Sequence, residues 1–230
     1  MALRRGARRL GLLLGALILL GLALVCGWIW AISWRPPPET YRFQGVDVSE
    51  ADGLIDWFAV QGGQVDFAYV RATIGADRRD TRFADNWSLL YQADIRRGAI
   101  HVFSLCRLAR DQAANFVTTV PRTADALPVA VDLDFDSDCP ARPDRAVLLG
   151  ELRTFISAVE THTGVPVLLR ISRAFERQYE VSAAIPRGLW CAQSFFKPAY
   201  TVRPWRMWQA SRIRRIPGVD HPIHWDVVAP

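Results

Sequence analysis

Residues 128–136 read Pro-Val-Ala-Val-Asp-Leu-Asp-Phe-Asp, an apolar run that turns into three acids spaced two apart. An unbroken run such as Val129, Ala130 and Val131 suits a strand buried on both faces, the condition of a parallel sheet wrapped by helices. Residues i and i+2 of a strand share a face, so Asp132, Asp134 and Asp136 are expected to point the same way. Like charges crowded on one face oppose packing. Paired carboxylates at the C-terminal end of a buried strand are how glycosidases set an acid beside a base or nucleophile. The plainer alternative is a strand running out into an acidic loop that caps the next helix.

The rest of the chain repeats this rhythm. Strands are expected at 43–48, 66–72, 98–104, 128–134, 166–172, 188–194, 205–210 and 223–228. Helices are expected at 55–61, 83–97, 110–120, 144–163 and 173–182. Asp144 and Ser172 are candidate N-caps, and Gly98 and Gly164 candidate helix stops. The order is βα five times, then three strands with little helix between them. Repeated βα units imply parallel strands with right-handed crossovers. Eight strands closed into a barrel leave no exposed edge, which an open sheet would. The expected fold is therefore α/β, a TIM-like (βα)5β3 barrel with its site at the C-terminal ends of the strands.

Before residue 40 the chain is of another kind. Residues 10–34 carry no charge across 25 positions, longer than the roughly 20 needed to cross a bilayer. Arg4, Arg5, Arg8 and Arg9 precede this run, and the positive-inside rule keeps them cytoplasmic. Trp28, Trp30 and Trp34 fit an interfacial belt on the far side. A cleaved signal peptide is the competing reading, but the run exceeds a usual h-region and no small-x-small site follows it. Cys26 is similar to a lipid-attachment cysteine, with Val25 a poor residue before one. The expected layout is a cytoplasmic basic tail (1–9), a signal-anchor helix (10–34), a Pro-rich linker (35–40) and one outer domain (41–230), held at the inner membrane.

The net charge of +5 misleads unless it is apportioned. Five Arg and one Glu lie in residues 1–40, so the remainder holds 23 basic and 22 acidic groups. A domain this close to neutrality gives no electrostatic case for nucleic acid. Arg203, Arg206, Arg212, Arg214 and Arg215 form a basic set that suits a solvated face or contact with anionic wall polymers or headgroups. His162 and His221 lack metal-ligand spacing, and no Cys-x-x-Cys or Gly-rich phosphate loop occurs. No metal or cofactor is expected, and the protein reads as a monomer.

Cys106, Cys139 and Cys191 lie beyond the membrane, where oxidation is permitted. Cys106 follows the third strand and Cys139 the fourth. If those strands are neighbours, both thiols share a rim within bridging reach. The expected bridge is Cys106–Cys139, against the alternative that all three are small buried hydrophobes.

With these pieces in order, residues 41–230 resemble glycoside hydrolase family 25, the lysozyme-type muramidases. Gly45-Val46-Asp47-Val48-Ser49 is similar to that family's opening Gly-Ile-Asp-Val-Ser strand, and Ile55-Asp56-Trp57 to its Ile-Asp-Trp helix start. The strand ending Arg71-Ala72-Thr73 resembles Lys-Ala-Thr. Phe83 with Asn86, Gly98-Ala99-Ile100-His101, and Gln112-Ala113 with Phe116 follow in the family's order. Asp132-Leu133-Asp134 stands at an Asp-x-Glu motif. Leu189-Trp190-Cys191-Ala192, Trp208-Gln209 and Gly218-Val219-Asp220 with Pro222 complete the pattern. No single piece is specific; the shared order is. The resemblance implies a (βα)5β3 barrel that cleaves the glycan backbone of peptidoglycan.

It also implies a site and several departures from it. Asp134 takes the position of the general-acid Glu, Arg170 that of a Tyr, and His224 that of an Asp on the last strand. Ile100 and Ile74 replace a Tyr and a Glu. Asp47 and Asp132 are kept. Asp226, two residues beyond His224, shares its face and could be a relocated carboxylate. Asp134, Asp132 and Asp47 are the expected catalytic set, with Trp208, Gln209, His224, Asp226, Arg170 and Trp190 as substrate-binding residues. Trp225 joins Trp190 and Trp208 as a candidate stacking platform, the bland alternative for each being barrel core. His224 is either an acid/base group near neutral pH or a hydrogen-bond partner for an Asp. Arg170 beside Asp132 or Asp134 is expected to hold their pKa values down, whereas a general acid needs a raised one. Two functions follow: a membrane-anchored muramidase-like hydrolase, or a silent barrel that binds peptidoglycan or an envelope partner.

Overall fold

The computed structural model describes residues 2–63 and 65–230, the stretch 2–10 by its backbone alone. Two compact units divide the chain, one ending at Trp34 and one running from Arg35 to Pro230. The first is a single helix, α1 (Ala2–Ser33). Its segment Gly11–Ser33, 23 residues, is long and apolar enough to cross a membrane; at about 1.5 Å per residue it exceeds the ~30 Å hydrocarbon core. The basic segment expected as a separate tail is the start of this helix, and the side chains of Arg4, Arg5, Arg8 and Arg9 lie outside the described residues.

The second unit is a barrel. Its strands are β1 (Gln44–Val48), β2 (Phe67–Ile74), β4 (Arg96–Val102), β5 (Ala130–Leu133), β6 (Leu168–Ser172), β7 (Gly188–Ala192), β8 (Met207–Arg214) and β9 (Ile223–Val228), and β3 (Arg78–Arg79) is a short flap on β2. The helices between them are α2 (Trp57–Gln61), α3 (Phe83–Gln92), α4 (Ala109–Thr119), α5 (Arg145–Thr163), α6 (Arg173–Tyr179) and α7 (Val181–Ala184). Pairing runs β1-β9-β8-β7-β6-β5-β4-β2 and closes through β1–β2. The expected (βα)5β3 barrel is the fold observed.

One strand runs against the rest. β9 is antiparallel to both β8 and β1, while the other barrel pairs are parallel. A strand running the other way brings its N-terminal residues to the rim where its neighbours end. His224 therefore lies opposite Asp47, and Asp226 opposite Gly45, one step deeper.

Two local expectations need correction. The helix expected at 83–97 ends at Gln92, because Asp94 adopts a left-handed backbone (φ 54°) and the chain turns into β4. Gly98 is thus not a helix stop. It sits inside β4, where a Cβ would come within 2.3 Å of the Tyr69 ring. The helix expected at 173–182 is broken in two by Glu180, at φ 46°. Gly164 (φ 79°) does end α5, and the Ser172 hydroxyl does accept from the Phe175 N–H.

Alternation along the strands sorts side chains to the two faces of the barrel wall. Phe67, Tyr69, Ile100, Ala130, Trp190 and Met207 fill the interior. His101 faces the helices, stacked on Phe155 with ring centroids 4.4 Å apart. Cys106 and Cys139 are bridged, tying the loop after β4 to the loop after β5; Cys191 is buried and free. The neighbouring-strand argument for that pairing holds.

Candidate active site

The C-terminal rim gathers polar side chains that the barrel would otherwise exclude. Asp47 is the fourth residue of β1, 7% exposed, and faces inward. Its Oδ1 accepts from His224 Nδ1 at 2.9 Å and its Oδ2 from Gln209 Nε2 at 2.7 Å. Arg170 on β6 pairs with its register partner Asp132 on β5, Nη1 2.6 Å from Oδ2, and reaches towards Asp47 on β1, Nη2 3.7 Å from Oδ1. Its guanidinium also lies over the Trp190 ring, 5.4 Å from the centroid. A delocalised, weakly hydrated cation suits this nearly buried position better than an ammonium would.

The charges settle as their surroundings dictate. Burial pushes Asp47 up, but His224, Arg170 and the hydrogen bonds from His224 and Gln209 together hold it well below the usual carboxylate range. Asp132 goes the other way: burial raises its pKa, aided by Asp47 and Asp134, and Arg170 only partly offsets this. The expectation that Arg170 would hold Asp132 down is therefore overturned, because desolvation outweighs a single cation at this depth. Asp47 raises the pKa of His224, against burial and Arg170.

Asp226 is not at the mouth. It is fully buried beneath Asp47, with Oδ1 accepting from Trp190 Nε1 at 3.0 Å and Oδ2 without a hydrogen-bond partner among the described residues. Burial, then Asp47, push its pKa far up, so its carboxyl is kept neutral. The antiparallel run of β9 is the reason: two residues beyond His224 lead inward rather than outward.

The period-two argument holds for fewer acids than expected. β5 ends at Leu133, so Asp132 alone is in the strand. Asp134 lies just past it, exposed, its Oδ1 accepting the Phe135 N–H, and still near enough for its charge to act on Asp132. Asp136 caps its own loop through the Asp138 N–H.

The tryptophans separate by face. Trp190 is inside the barrel and fully buried. Trp208 and Trp225 point outward, 3% and 0% exposed. Trp208 packs edge-on to Trp205 and Tyr41, and Trp225 donates to Gln44 beneath the Arg214 guanidinium. Neither is open to a sugar, so Trp208 and Trp225 are wall packing rather than platforms. Gln209, next to Trp208, faces in and is the residue of that pair that reaches the site.

Two sets of contacts at the rim were not expected from sequence. Arg212 donates to Gln209 Oε1 at 3.1 Å, supporting the amide that holds Asp47. Arg71, at the end of β2, pairs with Asp80 (2.9 Å) and Glu50 (3.3 Å). Arg212 had been grouped with surface charge. In that basic set Arg203 donates to the Ser182 carbonyl and Arg215 to the Asp220 carbonyl.

Similarity to known proteins agrees with this geometry. A family model for glycosyl hydrolases family 25 matches residues 46–219. The family 25 glycosyl hydrolase structure from Bacillus anthracis superposes with a TM-score of 0.76 at 29% identity, covering 82% of this chain and 89% of that one. A bacterial lysozyme structure from Streptomyces coelicolor gives a TM-score of 0.73 at 24% identity, over 81% of this chain and 91% of that one, a likeness of fold. Among curated proteins, the uncharacterized protein YegX of Escherichia coli K12 is 27% identical over 83% of this chain and 71% of its own length. Lysozyme M1 of Streptomyces globisporus is 43% identical over 65 residues, 28% of this chain and 22% of that protein. A closed (βα)5β3 barrel with Asp47 and Asp132 converging at its rim, and a family match spanning most of that barrel, place this chain in glycosyl hydrolases family 25.

Proposed function

We propose that the protein is a membrane-anchored, lysozyme-like glycoside hydrolase acting on the glycan backbone of peptidoglycan. Helix α1 would hold it in the cytoplasmic membrane, with the basic N-terminus inside and the barrel outside. The observation that carries this reading is the convergence of Asp47, Asp132 and Asp134 at the C-terminal rim of a family 25 barrel. Of these, Asp134 pairs with no cation among the described residues and is open to solvent, which supports it as the carboxyl that works on the glycosidic bond. Asp47 and Asp132 lend negative charge to an oxocarbenium-like transition state. Relatives described as lysozymes supply the substrate class.

A second reading has its own observation. Arg170 lies against both Asp132 and Asp47 and offsets the negative charge such a transition state would use. In that case the barrel binds glycan without cutting it. The full chain in detergent, applied to purified cell wall in a zymogram, separates the two. Clearing that disappears in Asp134→Asn supports the hydrolase; retention on the wall without clearing supports the binding module.

A further inference from the structure

His224 has the setting of a catalytic imidazole. Its Nδ1 donates to Asp47 Oδ1 at 2.9 Å, which fixes the ring and leaves Nε2 on the opposite edge. Its side chain is 38% exposed at the mouth, against 8% for Asp47. No group among the described residues hydrogen-bonds Nε2, and the side chain is part-exposed, so that nitrogen is left unengaged by the protein. Asp47 is itself pinned from three sides, by His224, Gln209 and Arg170, so the imidazole rests on a carboxylate that cannot swing away.

We infer that His224 is the proton donor to the leaving sugar and that Asp134 is the base that activates water. This rests on the hydrolase reading above and reverses the role that the resemblance gives to Asp134. The step balances as follows. The Nε2 proton of the imidazolium passes to the glycosidic oxygen as its bond to the anomeric carbon breaks. A water oxygen bonds to that carbon and gives its proton to the Asp134 carboxylate. Two sugar chains leave, and solvent returns the proton from Asp134 to His224.

The protonation states favour this direction. A donor must hold its proton at the working pH and a base must lack it; acid and base are told apart by surroundings that drive their pKa values in opposite directions. The charged groups acting on His224 are Asp47 from β1, Asp52 from the turn after it and Arg170 from β6. The nearest is an ionised carboxylate in direct contact, so the imidazolium is favoured over the neutral ring despite burial and Arg170. Asp134 is exposed at the end of β5 and pairs with no cation among the described residues. Arg170, engaged by Asp132 and Asp47, lowers the His224 pKa less than Asp47 raises it.

The test compares two substrates with full-length protein in detergent: purified peptidoglycan, and a 4-nitrophenyl glycoside of an N-acetylglucosamine oligomer, whose leaving group needs no proton. In His224→Asn the amide keeps a donor for Asp47 but carries no transferable proton. Its turnover of peptidoglycan should fall by about 10²–10⁴-fold and the alkaline limb of the pH–rate profile should vanish, while the aryl glycoside is still cut at near wild-type rate. Asp134→Asn should lose both substrates and regain rate with azide, which replaces the activated water. Loss of both substrates in His224→Asn, or an alkaline limb that disappears in Asp134→Asn and persists in His224→Asn, overturns the assignment. A wild-type protein that cuts neither substrate sinks the hydrolase reading itself, and this inference with it.

Discussion

Arg170 donates to Asp132 across 2.6 Å, and this ion pair links two register partners on the adjacent strands β6 and β5. A cation from β6 thus neutralises a carboxylate from β5, and its second terminal nitrogen stands 3.7 Å from Asp47 on β1.

Removing that cation leaves two nearly buried carboxylates without it. Arg170→Leu should cost roughly 3–5 kcal/mol, the penalty of orphaning a buried charge. Denaturant unfolding should show the loss, and Asp132→Asn in the same chain should recover part of it. A double variant no more stable than the single one would contradict the pairing.

Asp226→Asn should cost little. Its carboxyl is buried and neutral, with one oxygen serving Trp190. The folded pKa lies above the unfolded one, so wild-type stability falls as pH rises through the window between them. The amide keeps the Trp190 acceptor and removes that fall. Unfolding free energies compared at pH 4 and pH 7 should differ less in the variant than in the wild type.

His101 imposes an acid limit. Its Nε2 faces Gln112 Oε1 at 3.2 Å and its Nδ1 faces the Thr73 hydroxyl at 2.8 Å. The Gln112 amide nitrogen already donates to the Ser104 and Arg107 carbonyls, so its oxygen accepts, and His101 is neutral with its proton on Nε2. Burial, opposed in part by the Gln112 bond, holds its pKa down to about 3. Stability is complete above the unfolded value near 6.5 and declines as pH falls towards 3, because the unfolded chain takes the proton first. The full loss is on the order of 4–5 kcal/mol. Chemical denaturation of His101→Gln between pH 7 and pH 4 should be markedly flatter.

The disulfide closes a loop between residues 33 apart in sequence. Replacing both Cys106 and Cys139 by Ser should cost about 2–4 kcal/mol. Cys191 is buried, and burial pushes its thiol up to about 11. It should resist thiol reagents in the folded barrel and react once denaturant unfolds it, as mass spectrometry of the labelled protein would show.

Gly45 lies two residues before Asp47, on the same face of β1. A Cβ there would come within 2.2 Å of the Phe67 carbonyl oxygen, a backbone atom that cannot step aside. Gly45→Ala should destabilise by about 1–3 kcal/mol and displace Asp47, lowering activity and melting temperature together. Full activity with an unchanged melting temperature would argue against this contact.

Much of the architecture was legible in the chain. Apolar runs such as Val129–Val131 and the alternation of strands with helices announced a closed barrel, since both signals follow from local periodicity and burial. The uncharged segment after Arg9 announced a helix long enough for a bilayer on length alone. Neighbouring strands even gave the Cys106–Cys139 bridge. Boundaries were less legible: nothing local marks Asp94 as a helix end or Gly98 as the position over which Tyr69 packs.

The site divides along the same line. Sequence determined which groups could do chemistry, because Asp47, Asp132, Asp134 and His224 are fixed by residue type and order. Only the tertiary structure decided which of them are buried, which are exposed at the rim and which partners each one meets. The reversed direction of β9 sends Asp226 inward and His224 to the rim, and strand alternation turns Trp208 out and Gln209 in. Burial and the placing of one guanidinium then shift Asp47 down and Asp132 and Asp226 up. Strand direction and desolvation are properties of the whole barrel, so no stretch of sequence read by itself contains them.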